Sequence, residues 1–245
     1  MKVALSRLSY DEFALTQSYL DHVQEQLLNL GLRLETHCDL DAWKALLESA
    51  PGVESLSKPL DPAVNYIQPN EAFWISLETV KGETIACVGA RMVDTTDFIE
   101  EFVTTYLLFG DLKPRLQLEP YGFVENPPTI YGRVGYGGGS WVHPDWRNLD
   151  LSGVTSRLGR VIALRHLRVD YYTCFIKATT KRKSWSAETL GWPHSRPLTT
   201  GHHPGRDNYV ADSLFLWAQK EEILDLCNER RPLRHRQQGR LQRTG

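Results

Sequence analysis

The stretch from Ile130 to Ile176 sets the tightest limit on what this chain can fold into. Ile130 to Val142 reads as a strand, interrupted by Gly135 and by the run Gly137-Gly-Gly139. A Pro turn follows at His143-Pro144, and a short loop then opens into an amphipathic helix over 153–168. Val154, Leu158, Val161, Ile162 and Leu164 fall on one side of that helix, with Arg157, Arg160, Arg165 and Arg168 mostly elsewhere. Val169 to Ile176 is again a strand. Strand, helix and strand in close succession make a βαβ unit, which requires a sheet with a parallel pair and a helix laid across it.

The flanking segments extend that sheet. Ser9-Tyr-Asp-Glu12 has capping-box spacing, and Phe13, Leu20, Val23, Leu27 and Leu30 follow at helical intervals up to Gly31. A second helix begins at Asp39 or Asp41, carries Trp43, Leu46 and Leu47, and stops at Pro51-Gly52. Val53 to Asn70 holds Pro59, Pro62 and Pro69 and reads as a loop. Residues 72–79 and 84–93, joined through Lys81-Gly82-Glu83, read as a β-hairpin. Residues 97–109 divide: Phe98, Phe102 and Val103 suit a helix, while the second half is β-branched and aromatic. Lys181 to Leu190 reads as a short helix, Val210 to Trp217 as a strand, and Glu221 to Glu229 as a closing helical turn or two. The fold class is therefore mixed α/β (α+β), with one unit over 1–229, an insertion at about 94–130 and a basic, disordered tail over 230–245.

Composition removes several function classes. No apolar run approaches the roughly 18 residues that a membrane-spanning helix needs, and the first residues lack the pattern of a secretory signal. Cys38, Cys87, Cys174 and Cys227 lie far apart, which fits packed, reduced thiols in the cytoplasm rather than a disulfide framework or zinc ribbon. The net charge of −2 conceals an acidic N-terminal part and a basic C-terminal part: residues 1–111 carry 7 Lys+Arg against 18 Asp+Glu. Six of the arginines fall in residues 230–245, where only nonspecific contact with nucleic acid is expected, since no nucleic-acid motif accompanies them.

Ser140 to Gly153 carries the chemistry. A loop feeding a helix start presents free backbone N–H groups and the positive end of a helix dipole, a natural anion site. Arg147 adds a fixed positive charge on the approach. Here the chain resembles the GCN5-related N-acetyltransferases, whose signature is a strand ending in Val-x-Pro, an aromatic residue, and Arg-x-x-Gly-x-Gly/Ala opening a helix. Val142, Pro144, Trp146 and Arg147 stand at the matching positions, and Leu190-Gly191-Trp192 stands where members have Leu-Gly-Phe. Two departures are visible in the loop, where Asp150 and Ser152 replace the signature's small residues. Ala187 replaces a tyrosine used as general acid, and about Thr180 an asparagine that holds the pantetheine arm.

The resemblance implies a mixed, mostly antiparallel central sheet flanked by helices, and an acetyl-CoA or other acyl-CoA cofactor. Its cofactor contacts fall on Trp141, Val142, Arg147, Asn148, Leu149, Asp150, Leu151, Ser152 and Gly153. Gly137-Gly-Gly139 marks either a splay that exposes the strand edge to a pantetheine arm or an ordinary glycine bulge. His143 is the candidate general base, and Tyr172 and Tyr209 are candidate donors to the leaving thiolate. Lys181-Arg-Lys183 would meet the cofactor's 3′-phosphate side or form a solvated helix start, and His194, His202 and His203 read as loop residues rather than metal ligands. The activity implied is transfer of an acyl group to a small-molecule or peptide amine by direct attack on the thioester. A module that keeps the fold without the cofactor is the alternative, favoured by Asp150 and Ala187. Neither the acceptor nor the oligomeric state is written in the sequence.

Overall fold

The computed structural model describes residues 8–53, 56–103, 122–123, 127–147, 149–177, 190–199 and 213–229. Helix α1 (Tyr10–Asn29) starts at the expected capping box. The Ser9 hydroxyl accepts from the Glu12 amide, and the Glu12 carboxylate accepts from the Ser9 amide. That carboxylate also meets Lys220 at 2.7 Å, and the lysine holds its carboxyl below the ordinary value. Strand β1 (Leu32–His37) follows, then helix α2 (Leu40–Ser49), whose first amides donate to the Asp39 side chain.

The hairpin lies where the sequence places it, as β2 (Ala72–Thr79) and β3 (Thr84–Thr95). Helix α3 (Phe98–Val103) and the two-residue β4 (Gly122–Phe123) belong to the insertion. The βαβ unit is β5 (Gly132–Val142), α4 (Leu151–His166) and β6 (Tyr171–Lys177). Strands β7 (His194–Thr199) and β8 (Ser213–Gln219) lead into helix α5 (Lys220–Asn228). The segment expected to be a loop at His194 is thus a strand, and β1 is a further strand the reading of the sequence lacked.

The eight strands form one sheet in the order β1-β2-β3-β5-β6-β8-β7-β4. Every neighbouring pair is antiparallel except β5 and β6, which are parallel because α4 carries the chain across. This is the mixed, mostly antiparallel sheet flanked by helices that the resemblance implied.

Period-two alternation sends side chains to two cores. In β2, Phe73, Ile75 and Leu77 join the face covered by α1, α4 and α5, while Ala72 and Trp74 join the face covered by α2 and α3. Helix α4 is buried on nearly its whole circumference, since it lies between the sheet and the two terminal helices.

Strand β5 carries an extra residue. Cys87 pairs with Trp141 and Gly89 with Gly138, so two steps along β3 match three along β5. Gly139 takes up the excess at φ +60°, as glycine does in a bulge. The fully buried Trp43 indole packs against this point, so a Cβ on Gly139 would run into the ring. A Cβ on Gly89 would lie 3.1 Å from the same indole. Gly139→Ala therefore combines an unfavourable backbone conformation with overpacking, and is expected to cost roughly 3 kcal/mol or more. Gly82→Ala in the hairpin turn, also at positive φ but with open space around it, should cost only about 1 kcal/mol. Urea denaturation of the two variants checks the difference, and equal losses would show that Trp43 yields easily.

Candidate functional site

Parallel pairing of β5 with β6 lasts four residues, from Val134 opposite Tyr171 to Gly137 opposite Cys174. Beyond Gly137, β5 keeps β3 along one edge and, among the described residues, has no strand along the other. The bulge at Gly139 falls just past the parting. A cavity of about 200 Å³ occupies the opening. Gly137 to Ser140 of β5 form one wall, and Cys174 and Ile176 of β6 form the opposite one. Ser152 and Ser156, one turn apart on α4, face in from the helix, and Tyr172, Leu190 and Trp192 add to the lining.

Tyr172 sits where the two strands are still paired, opposite Gly135. Its ring occupies space that three glycines leave open. A Cβ on Gly135 would come within 2.6 Å of the ring, one on Gly137 would overlap the hydroxyl, and one on Gly159 would lie 3.2 Å from it. The ring stacks on Trp192 with centroids 6.0 Å apart. The hydroxyl is buried and has no hydrogen-bond partner among the described residues, and burial pushes its pKa up. Burial likewise pushes the Cys174 thiol up to about 12, leaving an uncharged group on the cavity wall.

Arg160 lies one turn beyond Ser156 on α4 and is fully buried. Its Nη2 donates to the Leu190 carbonyl at 3.1 Å, and its guanidinium lies 4.4 Å from the centre of the Trp192 ring. Burial, with the neighbouring Arg157, brings it down to about 10, so it stays charged at neutral pH.

The start of α4 is occupied by its own carboxylate. Asp150 is the N-cap residue, yet its side chain makes no capping hydrogen bond. Both of its oxygens lie 2.7 Å from where a Cβ on Gly153 would stand. Arg157, the next buried arginine of α4, meets one of them at 3.4 Å. A negative charge therefore already sits over the first turn, where the dipole favours it.

The other expected contacts are distributed as follows. Val142 and Leu151 are buried in the α4-side core, and Leu149 packs partly against it. Trp141 faces the opposite core and donates its indole N–H to the Pro51 carbonyl at 3.1 Å. Arg147 is exposed, with Nε donating to the Val142 carbonyl at 3.2 Å, and its Nη2 lies 3.6 Å from where a Cβ on Gly52 would stand. Among the described residues of that loop-and-helix set, only Ser152 lines the cavity. His143 caps the 3₁₀ turn Pro144–Trp146, its Nδ1 accepting from the Asp145 amide. Asn148, Tyr209, Thr180, Ala187, Lys181 to Lys183, His202, His203 and the tail lie outside the described residues. His194 pairs with Glu222 at 2.6 Å and stacks on Trp217.

Solved acetyltransferases follow a similar course. Arabidopsis thaliana NAA60 in complex with acetyl-CoA is 11% identical, over 78% of this chain and 99% of that one, at a TM-score of 0.44. A spermidine N-acetyltransferase SpeG chimera from Vibrio cholerae and hSSAT is 10% identical, over 80% and 99%, at 0.46. An acetyltransferase of the GNAT family from Streptococcus pneumoniae is 7% identical, over 77% and 99%, at 0.43. No protein-family model and no curated protein matches the chain. Among the described residues, no helix is long and apolar enough to cross a membrane, and no group of three His, Cys, Asp or Glu residues is placed to hold a metal ion.

The cavity's far wall was not foreseen. Trp192 and Leu190 entered the reading of the sequence only as a motif match, and Arg160 only as one more positive charge. The available signal was the i, i+4 spacing of Ser152 and Ser156, which sets two small polar residues on one helix face.

Tyr172 and the also buried Tyr136 have folded-state pKa values raised by burial. The folded protein therefore holds protons that unfolded tyrosines release near pH 10. Stability contributed this way is intact below that pH and is lost as pH rises through it. Tyr172→Phe removes one such proton and an orphaned hydroxyl. It should raise stability at neutral pH by about 1 kcal/mol and flatten the alkaline fall of the urea midpoint. An unchanged alkaline slope would mean that the phenol ionises freely in the folded state.

Proposed function

We propose that this chain is an acyl-CoA-dependent N-acyltransferase whose acyl-pantetheine arm lies in the opening between β5 and β6. The observation that carries the reading is the edge of β5 beyond Gly137, which has no strand partner among the described residues, is bent by the Gly139 bulge and is bordered by a cavity of about 200 Å³. An amide-bearing arm suits such a site, because it supplies the hydrogen-bonding groups that an open strand edge lacks.

An acyl-CoA supplies an activated carbonyl, and a neutral amine displaces the thiol. This chain's part is positional. The strand edge orients the arm, glycines at 137 to 139 let it approach the backbone closely, and edge amides polarise the carbonyl. Tyr172 is a poor proton source for a thiolate, because burial moves the phenol further above an ordinary thiol pKa of about 8.5. It holds its proton and acts as a hydrogen-bond donor, and the departing thiolate takes its proton from water. The acidic N-terminal part of the chain suits a cationic amine before it loses its proton.

A second reading has its own observation. Asp150 places a carboxylate over the helix start where a diphosphate would be held, and Arg147 is engaged with Val142 instead. A module with this fold but no cofactor would have that arrangement.

Calorimetric titration with acetyl-CoA and with acetyl-pantetheine, which lacks the phosphates, separates the two. Saturable micromolar binding of acetyl-CoA is the expected result. Asp150→Asn should tighten acetyl-CoA about tenfold, roughly 1.4 kcal/mol, and leave acetyl-pantetheine unchanged. If the folded protein takes up neither compound, the module reading replaces the enzyme.

A further inference from the structure

The cavity between β5 and β6 does not stop at the parted edge. One of its lining residues, Val88, belongs to β3, and β5 stands between β3 and β6 in the sheet. Val88 packs in the core on the α4 side, with Phe73, Ile75 and Leu158. The cavity therefore passes beneath β5, between that strand and the helix. Glycines keep the passage free. Gly137 brings no Cβ to the α4 side, and the next two glycines face the other way: a Cβ on Gly138 would lie 2.7 Å from the Ser57 hydroxyl, and one on Gly139 would run into Trp43.

The passage has a closed end. A Cβ on Gly159 of α4 would lie 3.2 Å from the Tyr172 hydroxyl and 3.6 Å from a Val88 methyl, so β3, β6 and the helix come together there. The lining along α4 runs from Ser152 to Ser156 before that point, which puts the hydroxyls toward the helix start and leaves the closed end to Val88 and the Tyr172 ring. Among the described residues, no lining side chain is an acid or a base that is charged at neutral pH. The rest of the wall is Cys174, Phe175, Ile176, Leu190 and Trp192, and it is mostly apolar.

An arm bonded to the open edge of β5 lies beside the strand, in the plane of the sheet, and leaves the space beneath it unfilled. A chain that starts at the edge and turns under the glycines fills it, and an uncharged, closed apolar end suits hydrocarbon. We infer that the donor's acyl group is a short, uncharged aliphatic chain longer than acetyl, that this chain runs beneath β5, and that Val88 sets its length. The inference rests on the acyl-transfer reading above. Neighbouring strands lie about 4.8 Å apart, which puts the β3 backbone about 10 Å from the slot beside β5. The reach of the valine side chain and a contact of about 4 Å leave room for about three carbons beyond the thioester carbonyl. The transfer is that of any N-acylation: the carbon–nitrogen bond forms, the carbon–sulfur bond breaks, the nitrogen gives its surplus proton to water, and the thiolate takes one from water.

The test is calorimetry on the full chain with acetyl-, butyryl-, hexanoyl- and octanoyl-CoA. Butyryl-CoA is expected to bind about tenfold more tightly than acetyl-CoA, as the burial of two further methylenes allows. Octanoyl-CoA is expected to bind no more tightly than butyryl-CoA, because the passage is closed. Val88→Ile adds one carbon at the closed end and should lower the butyryl-over-acetyl ratio about threefold or more. Val88→Ala removes two carbons and should move the best-bound chain from butyryl to hexanoyl. The two variants act in opposite directions on chain length, whereas a purely structural role for Val88 would weaken every thioester alike.

The outcomes separate this inference from the reading beneath it. Acetyl-CoA bound as tightly as butyryl-CoA, or more tightly, keeps the acyl-transfer reading and overturns the longer chain. Octanoyl-CoA bound tightest overturns the closed end, and a butyryl preference that neither variant moves overturns the role of Val88. Binding of no thioester by the folded chain overturns the acyl-transfer reading and this inference together.

Discussion

The placement of one aromatic ring governs the architecture around the cavity. Tyr172 fits only because Gly135, Gly137 and Gly159 withhold side chains from the space it fills. Two of those glycines belong to β5 and one to α4, so the ring fixes β6 against both elements of the βαβ unit at once. Just past this pin the pairing with β6 ends at Gly137, and the extra residue at Gly139 then bends the strand. The cavity is what remains when two strands are held together at one end and diverge at the other. Packed interiors transmit such constraints with little slack, so a methyl group at any of these positions would be felt throughout.

Helix α4 adds an electrostatic constraint of its own. It buries two guanidiniums one turn apart, Arg157 and Arg160, and Arg157 adds to the cost of keeping Arg160 charged. Asp150 offsets the first by direct contact, and it also complements the dipole at the helix start. Its presence therefore has a structural reason independent of any ligand. A diphosphate approaching the helix would meet a paired carboxylate and guanidinium rather than a bare negative charge. This weakens the case that Asp150 by itself abolishes cofactor binding, and it makes the helix start a weaker anion site than glycines would give.

Much of the fold was legible where one local signal dominates. The capping box at Ser9 and Glu12, the Gly82 hairpin and the amphipathic βαβ helix each follow from a pattern that tertiary context does not override. The missed strands lack such a pattern. In β1, only Leu32 is buried, so no alternation announces an edge strand. In β7, Pro197 reads as a loop residue, yet its missing N–H is tolerated because β4 reaches only Leu198 and Thr199 on that side. The site was legible as far as the glycine run and Tyr172, because those signals are local. The convergence of Arg160 with Trp192 was hidden by a separation of 32 positions in sequence. The turn of Trp141 toward the opposite core depends on the bulge, which shifts the alternation by one and cannot be placed from sequence alone.

Orphaned polar atoms also bear on the stability of the core. A buried polar group left without a partner costs about 1–3 kcal/mol, a large fraction of the roughly 5–15 kcal/mol by which a domain is stable. Phenylalanine at 172 would fill nearly the same space without that cost. Among the described residues Arg160, Tyr172 and Trp192 each keep one buried polar atom without a partner, so this part of the core is less stable than its packing permits. The pinned ring, the parted strands and the uncompensated guanidinium are thus consequences of one arrangement, in which the sheet opens at the point where the core is polar.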